Sequence, residues 1–309
     1  MIVAHLSDLH LLGEGEVAPW RYFNKRLTGL VNLKWRRHAV HKPDVARALA
    51  RELRTRAVEH VVVTGDLSNL ALEREFEAAR TFFENDLGLD PGRVSVIPGN
   101  HDLYTQGSAR SGRFARYFGP YLEGDLEGVA VRHPAGPFPY VRLRGPLAII
   151  GLATALPRPP MFASGALGRE QLRALERVLS LGPVRERLPL LLQHHPPHNP
   201  VSPFRTLTNG LWDARELRAL LERMPRGVLL HGHLHERVHR RLGSRGGAVD
   251  IVGATSASLV HEHEDRIAGF NLYEFDEAGF RTPPTSYVYD PVGERFRPRA
   301  IPLVPALES

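Results

Sequence analysis

Short apolar runs that alternate with amphipathic stretches limit the fold of this chain more than any other feature of its sequence. The apolar runs, each short enough for a buried strand, occur at 2–6, 60–64, 94–97, 140–143, 147–152, 188–193 and 227–231. Between them, apolar residues recur at helical spacing at 43–59, 72–85, 169–179 and 214–223. This alternation predicts an α/β protein in which helices cover the faces of the sheets.

The second half of the chain changes character. Residues 236–289 look mostly β, with 270–275 the clearest strand, whereas 103–137 are rich in Gly, Arg and aromatic residues. We predict a loop with short helices for 103–137 and an extended Pro-rich tail from about 290. Because the sequence has no internal repeat and no flexible linker, we predict a single domain over 1–309.

Composition excludes several kinds of site. The 309 residues include no cysteine but 16 histidines, so disulfides, iron–sulfur clusters and thiolate zinc sites are ruled out. Any metal must therefore be held by nitrogen and oxygen ligands. The longest mostly apolar run, Leu147–Leu156, is shorter than the roughly 18–20 residues of a membrane span. Because a strand-like run starts directly at Met1, we expect no signal peptide and a cytoplasmic protein.

Polar residues of the kind that bind metals follow five of the predicted strands. They are Asp8 and His10, then Asp66, then Asn100 with His101 and Asp102, then His194 and His195, and finally His233 and His235. One such Asp or His is usually a turn residue, but five in succession are not explained by turn chemistry. Because open α/β sheets place their sites outside the carboxyl ends of strands, the pattern predicts a metal centre there.

These motifs together resemble the calcineurin-like metallophosphoesterase family, which includes purple acid phosphatases, nucleases and cyclic-nucleotide phosphodiesterases. The resemblance rests on Asp8-x-His10, Gly65-Asp66, Gly99-Asn100-His101-Asp102, His194 and Gly232-His233-x-His235, and so spans residues 8–235. It implies a four-layer αββα sandwich of two mixed β-sheets flanked by helices. It also implies two metal ions at the strand ends.

The resemblance assigns the ligands residue by residue. The first ion would take Asp8, His10 and His235, the second would take Asn100, His194 and His233, and Asp66 would bridge the two. A shared carboxylate offsets part of the repulsion between two cations about 3.5–4 Å apart. A nitrogen and oxygen ligand set with several imidazoles suits Mn, Fe or Zn better than Mg alone.

Other residues of the motifs receive supporting roles. His101 is the family's proposed acid, which stabilises the transition state or protonates the leaving oxygen, and Asp102 would orient it. His194 and His195 compete for one ligand position; the following Pro196 favours His194, which leaves His195 to support the site or face the substrate. Arg110 and Arg113 either contact phosphate or are surface residues.

A basic insertion at about 19–42 separates the first motif from the first helix. From Val17 to Pro43 the sequence has seven Lys or Arg and no acidic residue, and its apolar residues recur at helical spacing. Such an element either binds an anionic membrane surface or caps the domain with its charges in water. The membrane alternative resembles UDP-diacylglucosamine pyrophosphatases and would make the protein peripheral to the inner membrane face.

The sequence therefore predicts a dinuclear-metal phosphohydrolase. It would cleave a phosphodiester or pyrophosphate bond by attack of a metal-bound hydroxide, with His101 assisting. The alternatives are a phosphomonoesterase, a lipid pyrophosphatase at a membrane surface, and a non-catalytic metal-binding scaffold. Purple acid phosphatases have Tyr three residues after the bridging Asp, where this chain has Asn69, which argues against a purple iron enzyme. We find no nucleic-acid-binding module.

Overall fold

The computed structural model describes residues 1–13, 26, 41–199, 202–261 and 263–305. The predicted insertion at 19–42 therefore lies outside the described residues except for Arg26, His41 and Lys42. Among the described helices, none has the length and apolar composition needed to cross a membrane.

The first mixed sheet has six strands in the order β14-β13-β12-β1-β2-β3. Its members are β1 (Ile2–Leu6), β2 (His60–Val63), β3 (Val94–Val96), β12 (Gly269–Glu274), β13 (Thr285–Asp290) and β14 (Arg295–Ala300). Strands β1, β2 and β3 run parallel, and the other three are added antiparallel on the β1 side. The carboxyl ends of β1, β2 and β3 therefore lie side by side.

The second mixed sheet has the order β10-β11-β9-β8-β7-β6. Its members are β6 (Tyr140–Arg144), β7 (Leu147–Gly151), β8 (Leu188–Leu192), β9 (Gly227–His231), β10 (Val238–Ser244) and β11 (Gly247–Gly253). Strands β7, β8, β9 and β11 are parallel, and β6 and β10 close the edges antiparallel. A separate hairpin joins β4 (Val131–His133) to β5 (Gly136–Phe138).

Alternating side chains divide the core between two layers. In β8, Leu190 and Leu192 pack in the cluster that also holds Val3 and Val61 of the first sheet, whereas Leu191 packs with Leu175. Because successive strand residues point to opposite faces, one face of the second sheet meets the first sheet and the other meets helices. The predicted four-layer sandwich of two mixed sheets flanked by helices is confirmed.

Helices occupy the predicted stretches between strands. They are α1 (Pro43–Arg54), α2 (Glu73–Thr81), α3 (Gln106–Arg110), α4 (Arg113–Leu122), α5 (Gly168–Ser180), α6 (Gly182–Arg185), α7 (Pro203–Asn209) and α8 (Ala214–Leu221). A π-helical turn, Phe82–Leu87, continues α2, and short 3₁₀ turns occur at Pro91–Arg93 and Glu264–Arg266. Each longer helix buries one apolar stripe, as α5 does with Ala174, Leu175 and Val178.

Two predicted irregular segments have more structure than expected. Residues 103–137 contain α3, α4 and the hairpin. The segment from about 290, predicted as an extended tail, is extended but paired, because β14 runs antiparallel to β13 and buries Phe296. This correction has a physical reason: a strand at the edge of a sheet tolerates Pro298, whose missing N–H would break a central ladder.

Candidate metal centre

The motif residues converge where the carboxyl ends of five parallel strands meet. Asp8 and His10 follow β1, Asp66 follows β2, Asn100 follows β3, His194 follows β8, and His233 and His235 follow β9. Two groups of three side chains each have ligand atoms that all lie within 4.8 Å of one another. One group is Asp8, His10 and His235, and the other is Asp8, Asp66 and His194. The two sheets thus bring residues from both halves of the chain into one site.

The backbone at the centre is strained. Asp8, His10, Asp66, His233 and His235 all have φ between 46° and 68°, in the left-handed region. A non-glycine residue there costs on the order of 1–3 kcal/mol and persists only when the surrounding structure imposes it. Such strain clusters at functional sites, and here it affects five of the seven predicted ligands.

Glycines allow the loops to approach one another. A Cβ at Gly99 would collide with the Asp66 carboxylate, and one at Gly232 would collide with the Ser7 hydroxyl. Neither position has room for any side chain, so the Gly-Asn-His-Asp and Gly-His-x-His motifs need glycine for close contact.

Three of the imidazoles are oriented by backbone carbonyls. Nδ1 of His194 lies 2.7 Å from the Thr64 carbonyl, and Nε2 of His233 lies 2.9 Å from the Asn209 carbonyl. A carbonyl only accepts, so these nitrogens carry the hydrogen and the opposite nitrogens face the site. His10 follows the same pattern with a longer contact, 3.3 Å, to the Ser68 carbonyl. This is the arrangement in which metal-binding histidines are usually held.

The inward nitrogens face oxygen atoms. Nε2 of His194 and Nδ1 of His233 each lie 3.1 Å from Oδ1 of Asn100. Nε2 of His194 also lies 3.4 Å from Oδ2 of Asp66, and Nε2 of His10 lies 3.8 Å from the same oxygen. One carboxylate oxygen of Asp66 thus stands between imidazoles of the two predicted ligand groups.

Asp8 is fixed from several directions. Its Oδ2 accepts a hydrogen bond of 2.6 Å from Ser7 Oγ, its Oδ1 lies 3.0 Å from Nε2 of His235, and its carbonyl accepts one of 2.6 Å from Ser256. Burial raises the pKa of Asp8, but the charge and hydrogen bond of His235 outweigh it and lower the pKa below its ordinary value. The carboxylate is therefore ionised at neutral pH.

Asp66 and His194 form a buried pair of opposite charge. Burial opposes the charge of both groups, yet His194 and His101 hold the pKa of Asp66 well below its ordinary value. In turn, the Asp66 and Asp8 carboxylates raise the pKa of His194 to about 9 against the effect of burial. Two fully buried charges persist because they compensate each other.

His101 lies beside the centre but is not oriented by Asp102. Its ring is 5.0 Å from that of His10 and its Nδ1 lies 2.7 Å from the carbonyl of Asn69, which holds the ring instead. Asp102 is fully buried and accepts hydrogen bonds from the backbone N–H groups of Leu67, Ser68 and Gly99. The predicted role of Asp102 is therefore wrong: it ties the β2 loop to the β3 loop.

Burial and the charge of Asp66 raise the pKa of Asp102 to about 7, although its N–H partners oppose that shift. The hydrogen bonds of Asp102 join the loops that carry Asp66 and Asn100.

The contacts of His195 favour the first of its two predicted roles, support of the site, whereas Arg113 matches neither predicted alternative, a phosphate contact or a surface residue. Both ring nitrogens of the fully buried His195 have partners, Thr154 Oγ1 at 2.8 Å and the Ala163 carbonyl at 2.7 Å. The ring packs 4.4 Å from that of His233, so His195 supports this predicted ligand. Arg113 is buried in an ion pair of 2.7 Å with Glu73. Arg110 is exposed at the end of α3, and its predicted phosphate contact stays a prediction.

His41 was not singled out from the sequence, yet it is buried against the centre. Its ring lies 4.6 Å from that of His10 and 6.2 Å from that of His235, both edge to face. Its Nδ1 lies 2.8 Å from Ser258 Oγ. The sequence predicts no strand directly before His41, so a search for polar residues that follow strands does not find it. Its position in a stretch rich in cations also gave no indication that it lies beside the metal centre.

Comparison with known proteins identifies the family. The model of the calcineurin-like phosphoesterase family matches residues 1–237. The chain belongs to the calcineurin-like phosphoesterase family. No curated protein matches it by sequence.

Solved structures of phosphoesterases share the fold. A dimetal phosphatase from Danio rerio is 14% identical with a TM-score of 0.58, over 94% of this chain and 99% of that one. A purple acid phosphatase from yellow lupin (Lupinus luteus) seeds is also 14% identical with a TM-score of 0.53, over 99% of this chain and 54% of that one. At this identity the likeness concerns the fold.

The residues of this calcineurin-like phosphoesterase fit the metal ions that the family implies. The donors are only carboxylate, carboxamide and imidazole groups, and carbonyls turn the imidazole lone pairs of His194 and His233 inward. Asn69, where purple acid phosphatases have Tyr, donates its amide to the His10 carbonyl at 2.8 Å and so braces a ligand.

Proposed function

We propose that this chain is a dinuclear-metal phosphohydrolase that cleaves a phosphodiester or pyrophosphate bond. The observation that carries the proposal is the convergence of seven nitrogen- and oxygen-bearing side chains from five strand ends. Five of the seven residues have strained backbone conformations. Strain of this kind is stored at functional sites. Family membership indicates a hydrolase of phosphate esters, and the filled ligand positions favour catalysis over a scaffold.

We assign Asp8, His10 and His235 to one ion, Asn100, His194 and His233 to the other, and Asp66 to both. When bound, two such ions lower the pKa of a coordinated water and offset the charge that develops on the phosphoryl oxygens. Mn, Fe or Zn suits this ligand set. The carbonyls of Thr64 and Asn209 hold the imidazoles in the tautomer that binding requires.

His101 would serve the leaving group. Because its Nδ1–H is directed at the Asn69 carbonyl, any proton that it gives to a leaving oxygen comes from Nε2. Stacking on Tyr104, with ring centroids 5.4 Å apart, and the edge contact with His10 fix the plane of the ring. Asn69 and Tyr104 are thus positioning residues for the acid.

Hydrolysis of bis(p-nitrophenyl) phosphate and of p-nitrophenyl phosphate, with Mn²⁺ and with chelator, tests the proposal. We expect chelator-sensitive turnover that is faster on the diester. Faster turnover of the monoester would establish the phosphomonoesterase alternative. Absence of turnover on both esters with two bound ions would contradict the proposal and favour the scaffold.

A further inference from the structure

An exposed apolar surface adjoins the metal centre. Six large apolar side chains are exposed among the described residues, and four of them belong to two neighbouring segments. These four form what we call the apolar rim: Met161, Phe204, Leu207 and Trp212, which are 85%, 70%, 50% and 49% exposed. Phe204 and Leu207 are three residues apart on α7 and therefore share a helix face.

Hydrogen bonds connect the two segments of the apolar rim to each other. Ala163 N–H donates to the Thr208 carbonyl at 2.7 Å, and Gly165 N–H donates to the Gly210 carbonyl at 3.0 Å. Trp212 in turn donates its indole N–H to the Leu207 carbonyl at 3.1 Å. The rim is therefore one ordered surface.

The same segments contact the predicted ligands. The Asn209 carbonyl, at the end of α7, accepts from Nε2 of His233 at 2.9 Å. The Ala163 carbonyl accepts from Nε2 of His195, whose ring packs on His233. The His233 ring thus separates the backbone at the end of α7 from the predicted centre, with Nε2 on Asn209 and Nδ1 on Asn100.

Arg158 adds a cation to the apolar rim. Its guanidinium lies 3.5 Å from the centroid of the Trp212 ring, and its Nε donates to the Ser164 carbonyl at 3.0 Å. Its Nη2 is buried and has no hydrogen-bond partner. An unsatisfied donor on a charged group is costly, and a ligand acceptor that this half-buried side chain turns to meet would remove that cost.

We propose that the apolar rim and Arg158 bind the organic group of the substrate, an apolar or aromatic group that carries an oxygen acceptor. This inference rests on the proposed function and specifies the substrate class as amphiphilic phosphate esters. Within the described part of the chain the rim has four side chains, far fewer than the roughly 20–30 residues per partner of a stable protein interface, and its segments adjoin His233. Both features favour a substrate group over a protein partner.

Two diesters with the same leaving group test the rim. Bis(p-nitrophenyl) phosphate and methyl p-nitrophenyl phosphate have equal charge and differ only in the group that stays on phosphorus. In the double variant Phe204→Ser, Leu207→Ser, we expect the ratio of kcat/KM for the aryl ester to that for the methyl ester to fall roughly tenfold. Val292→Ser, an exposed apolar position on the β13–β14 turn, is the matched control and should leave the ratio unchanged.

A third ester tests Arg158. This ester has a carboxypropyl group in place of methyl. Arg158→Gln should lower kcat/KM for the carboxypropyl ester more than it does for the methyl ester. An equal fall for all esters in either variant, or unchanged ratios, would overturn the inference. Loss of binding to anionic vesicles in the rim variant with unchanged ratios would identify a membrane contact instead.

Failure of the proposed function would be seen separately. If the metal-loaded wild type hydrolyses none of the esters, calorimetric binding of diphenyl phosphate and dimethyl phosphate still tests the rim. The double variant should then weaken only the binding of diphenyl phosphate. Equal binding of diphenyl phosphate to wild type and variant would overturn the inference.

Discussion

At the residue scale, the proton on His194 links the centre to pH. Because Asp66 and Asp8 raise its pKa to about 9, the ion-free protein holds this ring protonated at neutral pH. A metal ligand must be deprotonated, so ion binding at pH 7.5 should release about one proton per chain from this group. The apparent affinity for Mn²⁺ should therefore rise with pH up to about 9.

Calorimetry in buffers of different ionisation enthalpy measures that proton. The same raised pKa stabilises the ion-free fold below about pH 6.5, and this contribution is lost as pH rises through about 9. The melting temperature of the ion-free protein should therefore fall between pH 7 and 9. Ion binding without proton release would contradict the account.

His41 should affect ion binding without being a ligand. His41→Ala removes the edge contact with His10 and the hydrogen bond with Ser258, and should weaken Mn²⁺ binding by roughly tenfold or more. His41→Asn can keep the Ser258 bond and should restore part of the affinity. His263→Ala, an exposed histidine, is the control. Wild-type affinity in His41→Ala, measured by titration, would show that His41 has no positioning role.

Sequence spacing predicted which residues converge but not where every side chain points. The seven predicted ligand positions could be found from the sequence because each follows a recognisable strand. Asp102 is next to His101 in the chain, yet its carboxylate turns toward backbone N–H groups of another loop. Such directions depend on long-range packing, which also explains why the buried ion pair of Arg113 matches neither predicted alternative, a phosphate contact or a surface residue.

At the element scale, buried histidines join the strands of the first sheet. His5 in β1 lies 2.8 Å from Thr64 Oγ1 and 3.0 Å from the Tyr273 hydroxyl of β12, and His60 in β2 lies 2.9 Å from Ser95 Oγ of β3. Burial lowers the pKa of both rings to about 3. The two imidazoles therefore stay neutral in the folded protein down to about pH 3, whereas they bind protons in the unfolded chain below about pH 6.5.

Stability should consequently decline as pH falls from about 6.5 toward 3, because the unfolded state binds more protons over this range. Denaturant unfolding at several pH values measures the decline. Replacing either histidine with Gln should reduce the slope, whereas replacing the exposed His263 should not. A slope equal to that of the wild type in both Gln variants would contradict the assignment.

The alternation of strands and helices was predictable because the hydrophobic periodicity of each element can be recognised within its own short segment of sequence. The burial of Arg142 was not predictable, since a cation in a strand pattern predicts an exposed position. It is 1% exposed and donates to the carbonyls of Glu123, Pro91, Val94 and Pro120. Those partners are up to 51 residues away, so only the folded arrangement supplies them. The pairing of β14, by contrast, is local, because its partner β13 directly precedes it across the turn at 291–294.

At the scale of the whole molecule, the basic segment from Val17 to Pro43 bears on location. The segment has seven cations and no acidic residue, and all but Arg26, which is buried and donates to the Leu70 carbonyl, should draw the protein to anionic vesicles, by about 1 kcal/mol per Lys or Arg near the surface. We predict sedimentation with anionic vesicles that weakens as salt rises, and none with neutral vesicles. Arg36→Glu with Arg37→Glu should reduce it, and Arg173→Glu with Arg177→Glu on α5 should not. Lack of binding to anionic vesicles would leave the cap alternative.

The central claim is that two ions in one centre perform the hydrolysis. Its most direct test is to add Mn²⁺ in known amounts to the ion-free protein and to measure bis(p-nitrophenyl) phosphate turnover against ions bound per chain. The account predicts that turnover rises until two ions are bound and then stays constant, and that Asp66→Asn loses most binding and turnover. Full turnover in chelator, or a fully active Asp66→Asn protein, would contradict it.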